Sequence, residues 1–219
     1  MKLYCISGLG ADHRIFANLQ LNNVSVRHIH WEEPLPNHNL SDYAKTLLSQ
    51  ISDPEPILLG VSFGGLIAIE MTRWIKPLKI FLVSSIKTRN EMPSLYRFAG
   101  NTGLYRIAPT LLRVHNQIAN VAFGVKSSVE RQLLGAIMRD THPSFLTWAI
   151  NQLVRWNWNT KVDAIVHIHG TKDRMFPAKR VQPHFWIDGG GHFMIYNRAS
   201  DISHILNSEL ESCGVHASV

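Results

Sequence analysis

Six residues, Gly60-Val61-Ser62-Phe63-Gly64-Gly65, carry the pattern G-x-S-x-G with one further glycine. They follow the apolar run Pro56-Ile57-Leu58-Leu59 and open into Leu66-Ile67-Ala68-Ile69-Glu70-Met71. Strand, sharp turn and helix in that order are the context of a nucleophile elbow. A serine at such a turn projects its hydroxyl away from the sheet. Glycines on either side admit backbone where a Cβ would clash, and the helix N-terminus beneath favours developing negative charge. The chemistry to expect is nucleophilic attack by Ser62.

A serine hydroxyl is a weak nucleophile at neutral pH. It needs a base, an acid to orient that base, and donors for an oxyanion. The candidate base is His192, in Asp188-Gly189-Gly190-Gly191-His192-Phe193, on a glycine-rich loop after the last predicted strand. The candidate acid is Asp173, in His169-Gly170-Thr171-Lys172-Asp173-Arg174, on a loop leaving the carboxyl end of a strand. Asp163 precedes that strand and falls at the opposite edge, and Asp188 is too close in sequence to His192 to reach its ring easily. Glu91, after the preceding strand, competes with Asp173. The bland alternative for Asp173 is a surface ion pair with Lys172 or Arg174, worth little. Ser62, Asp173 and His192 follow the chain order Ser, Asp, His.

For the oxyanion, one backbone N–H is expected from Phe63, directly after the nucleophile. The second is expected from Leu9, in Ser7-Gly8-Leu9-Gly10-Ala11-Asp12, where flanking glycines let the amide turn inward. Asp12 and His13 stand at the mouth of this site, and Asp12 reads either as a substrate contact or as a helix N-cap. His28 with His30, and His167 with His169, have the i, i+2 spacing of paired strand ligands. No third ligand cluster accompanies them, so they read as strand residues with hydrogen-bonded rings, His169 supporting the acid loop. No metal and no cofactor is expected.

Apolar periodicity supplies elements to carry these residues. Strands are predicted over Lys2 to Ser7, Val24 to Trp31, Pro56 to Val61, Lys79 to Ser84, Ala164 to His169 and His184 to Asp188. Ser41 reads as the N-cap of a helix that presents Tyr43, Leu47, Leu48 and Ile51 on one face. The elbow helix is predicted to run to about Ile75, and a closing helix to begin near Ser200 with Ile202, Ile205, Leu206 and Leu210. Alternating strands and helices imply a parallel sheet covered on both faces. The segment from Ile86 to Thr160 breaks the alternation and is too long for one crossover. It holds at least two amphipathic helices. One opens with the capping box Ser127-x-x-Glu130 and shows Val129, Leu133, Leu134, Ile137 and Met138. The other, from Ser144, shows Phe145, Trp148, Ala149, Leu153 and Trp156. A helical cap over one end of the sheet accounts for them, as would two extra helices packed on its side. The expected division is a core of residues 1–85 and 161–219 with a cap insertion at 86–160.

At 219 residues the chain is long enough for one sizeable core. A hydrophobic content of 45% with 17% charged residues is globular and excludes disorder. The formal charge of +6 comes from scattered basic residues with no dense run, which argues against nucleic acid as a partner. Two cysteines are too few for a disulfide framework, and Cys5 and Cys213 read as free thiols of a reducing compartment. No run reaches membrane-spanning length. The expected setting is cytoplasmic, with a small-molecule substrate as partner.

With these motifs in order, the chain resembles the α/β-hydrolase superfamily, and within it small bacterial esterase-like serine hydrolases with a helical lid. The resemblance rests on the Gly8-Leu9-Gly10 loop, the Gly60 to Gly65 elbow, His169-Gly170-x-x-Asp173 and Gly191-His192. It implies a minimal, six-stranded, fully parallel α/β-hydrolase sheet, because the first strand begins at residue 2 and leaves no room for the family's opening hairpin. The chain departs from the family in carrying Ser7-Gly8 where the oxyanion loop usually starts His-Gly. The implied activity is hydrolysis of a small carboxylic ester or related acyl bond through an acyl-enzyme. Carbon–carbon bond hydrolysis or a lyase step by the same triad is the alternative, and a weakly catalytic ligand sensor a further one.

Overall fold

The structure is a computed structural model that describes residues 1–102 and 116–215. Residues 103–115, within the expected insertion, and 216–219, at the end of the expected core, lie outside the described residues. Six strands form one sheet: β1 (Lys2–Ile6), β2 (Ser25–Ile29), β3 (Ile57–Val61), β4 (Lys79–Val83), β5 (Ile165–Gly170) and β6 (Phe185–Ile187). Their order is β2-β1-β3-β4-β5-β6, and each neighbouring pair is parallel. The helices are α1 (Leu40–Leu47), α2 (Phe63–Met71), α3 (Ser94–Thr102), α4 (Asn116–Phe123), α5 (Ser128–Asp140), α6 (Pro143–Arg155), α7 (Met194–Asn197) and α8 (Ala199–Val215).

Pleating divides each central strand between two cores. Tyr4, Ile6, Leu58, Ile80 and Leu82 face one side, where Tyr43 and Leu47 of α1 and Leu66 to Met71 of α2 cover them. Leu3, Cys5, Leu59, Phe81 and Val83 face the other, against Met194, Ile202, Leu206 and Leu210. Burial on both faces explains why β3 is apolar throughout. Every residue of α2 is buried as well. The carboxylate of Glu70 is satisfied there by Arg73 Nε at 2.7 Å and Trp156 Nε1 at 2.8 Å.

Several boundaries differ from the sequence reading. Asn39, not Ser41, caps α1. Its side chain accepts the Asp42 N–H, and the Asp42 carboxylate accepts the Asn39 N–H in return. Burial of Leu40 draws the helix start earlier than the serine suggests. The elbow helix stops at Met71, and the chain continues to Ile75 as a turn in which Trp74 and Ile75 both donate to Met71 O. The edge strand β2 is shorter than predicted and half open to solvent. Between β4 and β5 the described residues hold α3 to α6, of which the periodicity had marked α5 and α6. His142 and Pro143, rather than Ser144, open α6, and Trp156 ends it as the C-cap. Among the described residues no helix is long and apolar enough to cross a membrane.

Candidate active site

Ser62 takes φ 52° and ψ −117°, a conformation that a residue with a Cβ adopts only where its surroundings enforce it. The glycines of the motif are required by space. A Cβ on Gly64 would lie 2.3 Å from the carbonyl oxygens of Ile6 and Ser7, and one on Gly60 would lie 2.6 Å from Gly64 O and Gly65 Cα. Strand β3 and the start of α2 therefore approach each other and the exit of β1 more closely than any side chain permits. The turn leaves Ser62 half-buried with its hydroxyl at the carboxyl edge of the sheet.

At that edge His192 Nε2 lies 2.8 Å from Ser62 Oγ, and His192 Nδ1 lies 2.8 Å from Asp173 Oδ2. An ionised carboxylate only accepts, so the Nδ1 proton points at Asp173 and the bare Nε2 accepts the Ser62 hydroxyl. Asp173 and His192 are both buried. Burial works to raise the Asp173 carboxyl, but the adjacent His192, with smaller contributions from His169 and the Phe176 N–H, overcomes it and holds Asp173 below the usual carboxylate range. The other oxygen, Oδ1, accepts the N–H groups of Met175 and Phe176 at 2.8 and 2.9 Å. The carboxylate is thus fixed from its own loop before it meets His192.

The acid and base loops are laced together. Thr171 N–H donates to Ile187 O at 3.1 Å, Lys172 N–H to Gly190 O at 2.9 Å, and Gly189 N–H to Thr171 Oγ1 at 2.8 Å. Thr171 Oγ1 in turn donates to Asp188 Oδ1 at 3.1 Å. Gly170 is required here, since its Cβ would lie 2.3 Å from Gly190 O. Behind the acid, His169 Nε2–H donates to Phe176 O at 2.8 Å, so its Nδ1 is free to accept from His167 Nε2–H at 3.3 Å. Burial lowers both imidazoles, His167 to about 2, and both rings are neutral.

The loop after β1 is held as firmly. Ala11 N–H donates to Gly8 O at 2.9 Å, Ser7 Oγ to Ala11 O at 2.7 Å, Trp31 Nε1 to Ala11 O at 2.8 Å, and Thr141 Oγ1 to Gly10 O at 2.5 Å. Gly10 has φ 69°, which needs no strain only in glycine. Gly8 borders the nucleophile, a Cβ there lying 3.6 Å from Ser62 Cβ. Leu9 follows Gly8 in this loop, while Phe63 heads α2, where the first N–H groups have no intrahelical acceptor. Asp12 caps the short helix His13–Phe16 through Arg14 N–H and pairs with the Arg14 guanidinium.

Residues from α3 to α6 border the same edge. The Phe123 ring packs edge-on against His192 at 5.5 Å, and Phe123 O accepts the Phe193 N–H at 2.9 Å. Trp148 meets Phe63 edge-on at 6.4 Å, and Tyr96 meets Phe176 at 6.3 Å. A cleft of about 230 Å³ opens beside the loop after β1 rather than over Ser62, with Gly10, Ala11, Trp31, Thr141 and Phe145 among its walls.

The competing acids lie elsewhere. The Glu91 carboxylate accepts Lys87 N–H, and burial raises it. Asp163 pairs with Lys161 at 2.7 Å on the surface. Sequence reasoning missed the Met175 and Phe176 amides, whose signal was the short Asp-x-x-Phe span. The histidine pairs carry no metal cluster: no group of three His, Cys, Asp or Glu able to hold an ion occurs among the described residues.

The chain is similar to an esterase from Thermogutta terrifontis, with a TM-score of 0.72 and 14% identity over 97% of this chain and 90% of that one. It is similar to a bromoperoxidase from Bacillus anthracis, with a TM-score of 0.70 and 16% identity over 96% and 91% of the two chains. It is similar also to an esterase from Exiguobacterium antarcticum, with a TM-score of 0.69 and 16% identity over 96% and 92%. No family model matches the chain, and no curated protein matches it at a significant level. The chain has the α/β-hydrolase fold in a minimal form, with six parallel strands and helices on both faces.

Proposed function

We propose that the protein is a serine hydrolase that cleaves a small carboxylic ester or related acyl bond. The observation that carries this reading is the unbroken chain from Ser62 Oγ through His192 to Asp173, with 2.8 Å at each step. Ser62 Oγ attacks the acyl carbon as its proton passes to His192 Nε2, and the carbonyl oxygen becomes an oxyanion facing the N–H groups of Leu9 and Phe63. The bond to the leaving group breaks, and His192 returns the proton to the departing oxygen. Water then attacks the acyl-enzyme, gives a proton to His192, and releases the acid while Ser62 regains its hydrogen. Asp173 keeps the imidazole in the required tautomer throughout.

Residues 86–160 form a cap in this reading. Its support is the contact of Phe123 with His192, Trp148 with Phe63, Tyr96 with Phe176, and Thr141 with Gly10. Aromatic rings from this segment pack against His192, Phe63 and Phe176, which favours small molecules with short to medium acyl groups over polymers. The test is labelling by a fluorophosphonate followed by turnover of aryl esters of graded chain length, with a β-diketone beside them. One label per chain is expected, absent from Ser62→Ala, whose turnover falls by about 10⁴ to 10⁶ with folding intact. Labelling of Ser7 or Ser84 instead, or none, would overturn the assignment, and cleavage of the β-diketone alone would move the reaction to carbon–carbon hydrolysis.

A further inference from the structure

The elbow is held from a strand to which the G-x-S-x-G pattern does not belong. Both backbone polar groups of Ser62 are bound by the exit of β4. Its N–H donates to Val83 O at 3.0 Å, and its C=O accepts Ser85 Oγ at 2.7 Å. The chain can reach back in this way because Ser84, between the two, takes φ 49° and anchors its own N–H on Ile168 O at 3.2 Å. Ser85 is completely buried. The space for it comes from Gly65, where a Cβ would lie 2.3 Å from Ser85 Oγ and 2.7 Å from Ser85 Cβ. The second glycine of Gly64-Gly65 thus has a task distinct from the first: Gly64 clears the exit of β1, and Gly65 admits the Ser85 hydroxyl.

The carbonyl that Ser85 binds is half of a peptide unit whose other half is the Phe63 N–H. A trans peptide is planar, and its N–H points opposite to its C=O. Two donors, Ser85 Oγ–H and Gly65 N–H at 2.9 Å, fix the direction of Ser62 O and so the direction of the Phe63 N–H. Both also polarise the peptide and strengthen that N–H as a donor. We propose that Ser85 is a positioning residue for the oxyanion hole, aiming the Phe63 amide through the Ser62 carbonyl. This rests on the reading of Ser62 as nucleophile.

The experiment uses a fluorophosphonate on the full chain. Ser62 Oγ attacks phosphorus, the P–F bond breaks, fluoride leaves, and the hydroxyl proton passes to His192. The phosphoryl oxygen gains charge where an acyl oxyanion would. Ser85→Ala and Ser85→Cys are compared with the parent for labelling rate, its pH profile, the thermal midpoint, and kcat and KM on one aryl ester. Removing a donor outright costs about 10²- to 10³-fold, and loosening the aim of one that remains is expected to cost about 10- to 100-fold. Ser85→Ala should lose that factor in labelling rate and in kcat. Its KM should stay within about twofold, and the midpoint of the pH profile should stay in place, because the Ser62–His192–Asp173 contacts do not involve Ser85. Ser85→Cys, with a weaker donor of similar size, should fall between the two and gives the reading if the alanine variant does not fold. Parent-like labelling in either folded variant would overturn the proposal. So would a loss that appears in KM, or one that shifts the pH profile and so points to a displaced histidine. A parent chain that takes no label at all would instead refute the nucleophile assignment.

Discussion

His167 makes stability depend on pH in a calculable way. Its ring is fully buried on β5. It faces His169 at 3.3 Å, while His184 Nδ1 accepts its backbone N–H at 2.9 Å. Burial first, then the electrostatic influence of His169, Lys87 and His184, outweighs the Ser85 backbone and lowers the imidazole from 6.5 to about 2. The folded chain therefore keeps this ring neutral across the mildly acidic range, while the unfolded chain protonates it from about pH 6.5 downward. The unfolded state binds the extra proton, so this stability is complete above that pH and is lost as pH falls. Between pH 7 and pH 5 one such group costs about 2 kcal/mol. With a urea slope of about 2–3 kcal/mol per M for a chain of this size, that moves the midpoint by roughly 0.7–1 M. Urea titrations at both pH values on the parent and on His167→Gln should show the parent losing that much more than the variant. The variant keeps a smaller loss, since His169 is lowered in the same sense. Equal losses in both proteins would show that His167 takes up its proton without unfolding, and the argument from burial would fail.

Asp173→Asn should lower kcat by roughly 10⁴ near neutral pH, because the imidazole would turn to the wrong tautomer. Glu91→Gln should do far less, since its carboxylate serves Lys87 N–H, and a reversal of the two in steady-state kinetics would move the acid to the loop after β4. Gly64→Ala should cost about 3 kcal/mol or more, because its Cβ would meet two backbone oxygens at 2.3 Å; a thermal midpoint close to the parent's would show that the exit of β1 yields. Phe123→Ala removes the ring against His192 while leaving the backbone bond to Phe193, and should widen acyl-chain tolerance with kcat on the shortest ester changed by less than about tenfold. Unchanged tolerance across the aryl ester panel would detach α4 from the substrate path.

The sheet was legible because a parallel strand buried on both faces leaves a continuous apolar run, and Ile57 to Leu59 and Ile80 to Val83 are such runs. Glycines marked the loops after β1, β3, β5 and β6, and at Gly60, Gly64 and Gly170 a Cβ would meet backbone at 2.3 to 2.6 Å. Ser62, Asp173 and His192 could be named from those loops, and the structure brings them within hydrogen-bonding distance. Features set by partners distant in sequence were hidden. Asn39 and Ser41 both suit a cap, and the signal that separates them, the acid Asp42 three residues after Asn39 where Ser41 has Ala44, is local and went unread. The helix Ser94–Thr102 leaves Leu95 and Phe98 exposed, so its apolar pattern reads weakly as a one-sided stripe. Ser85 falls just past the predicted strand Lys79 to Ser84 with no motif around it, and its bond to Ser62 spans 23 residues.

That last contact bears on how a strained serine stays in place. A positive φ at a residue with a Cβ costs on the order of 1–3 kcal/mol and persists only where the surroundings over-determine it. At Ser62 the determination comes from two sides, the exit of β1 packed against Gly64 and the exit of β4 holding both its N–H and its C=O. Ser84 repeats the strained conformation one strand over, anchored in turn on β5 through Ile168. Hydrogen bonds thus run from Ser62 to the exit of β4, and from Ser84 at that exit to β5. The register of these strands is fixed by cores on both faces, where a slip of one residue would turn each buried side chain to the wrong side. The position of the Ser62 hydroxyl is therefore a property of the sheet and not of the elbow motif alone. Substitutions that loosen the β4 exit should reach the chemistry even where they touch neither His192 nor substrate.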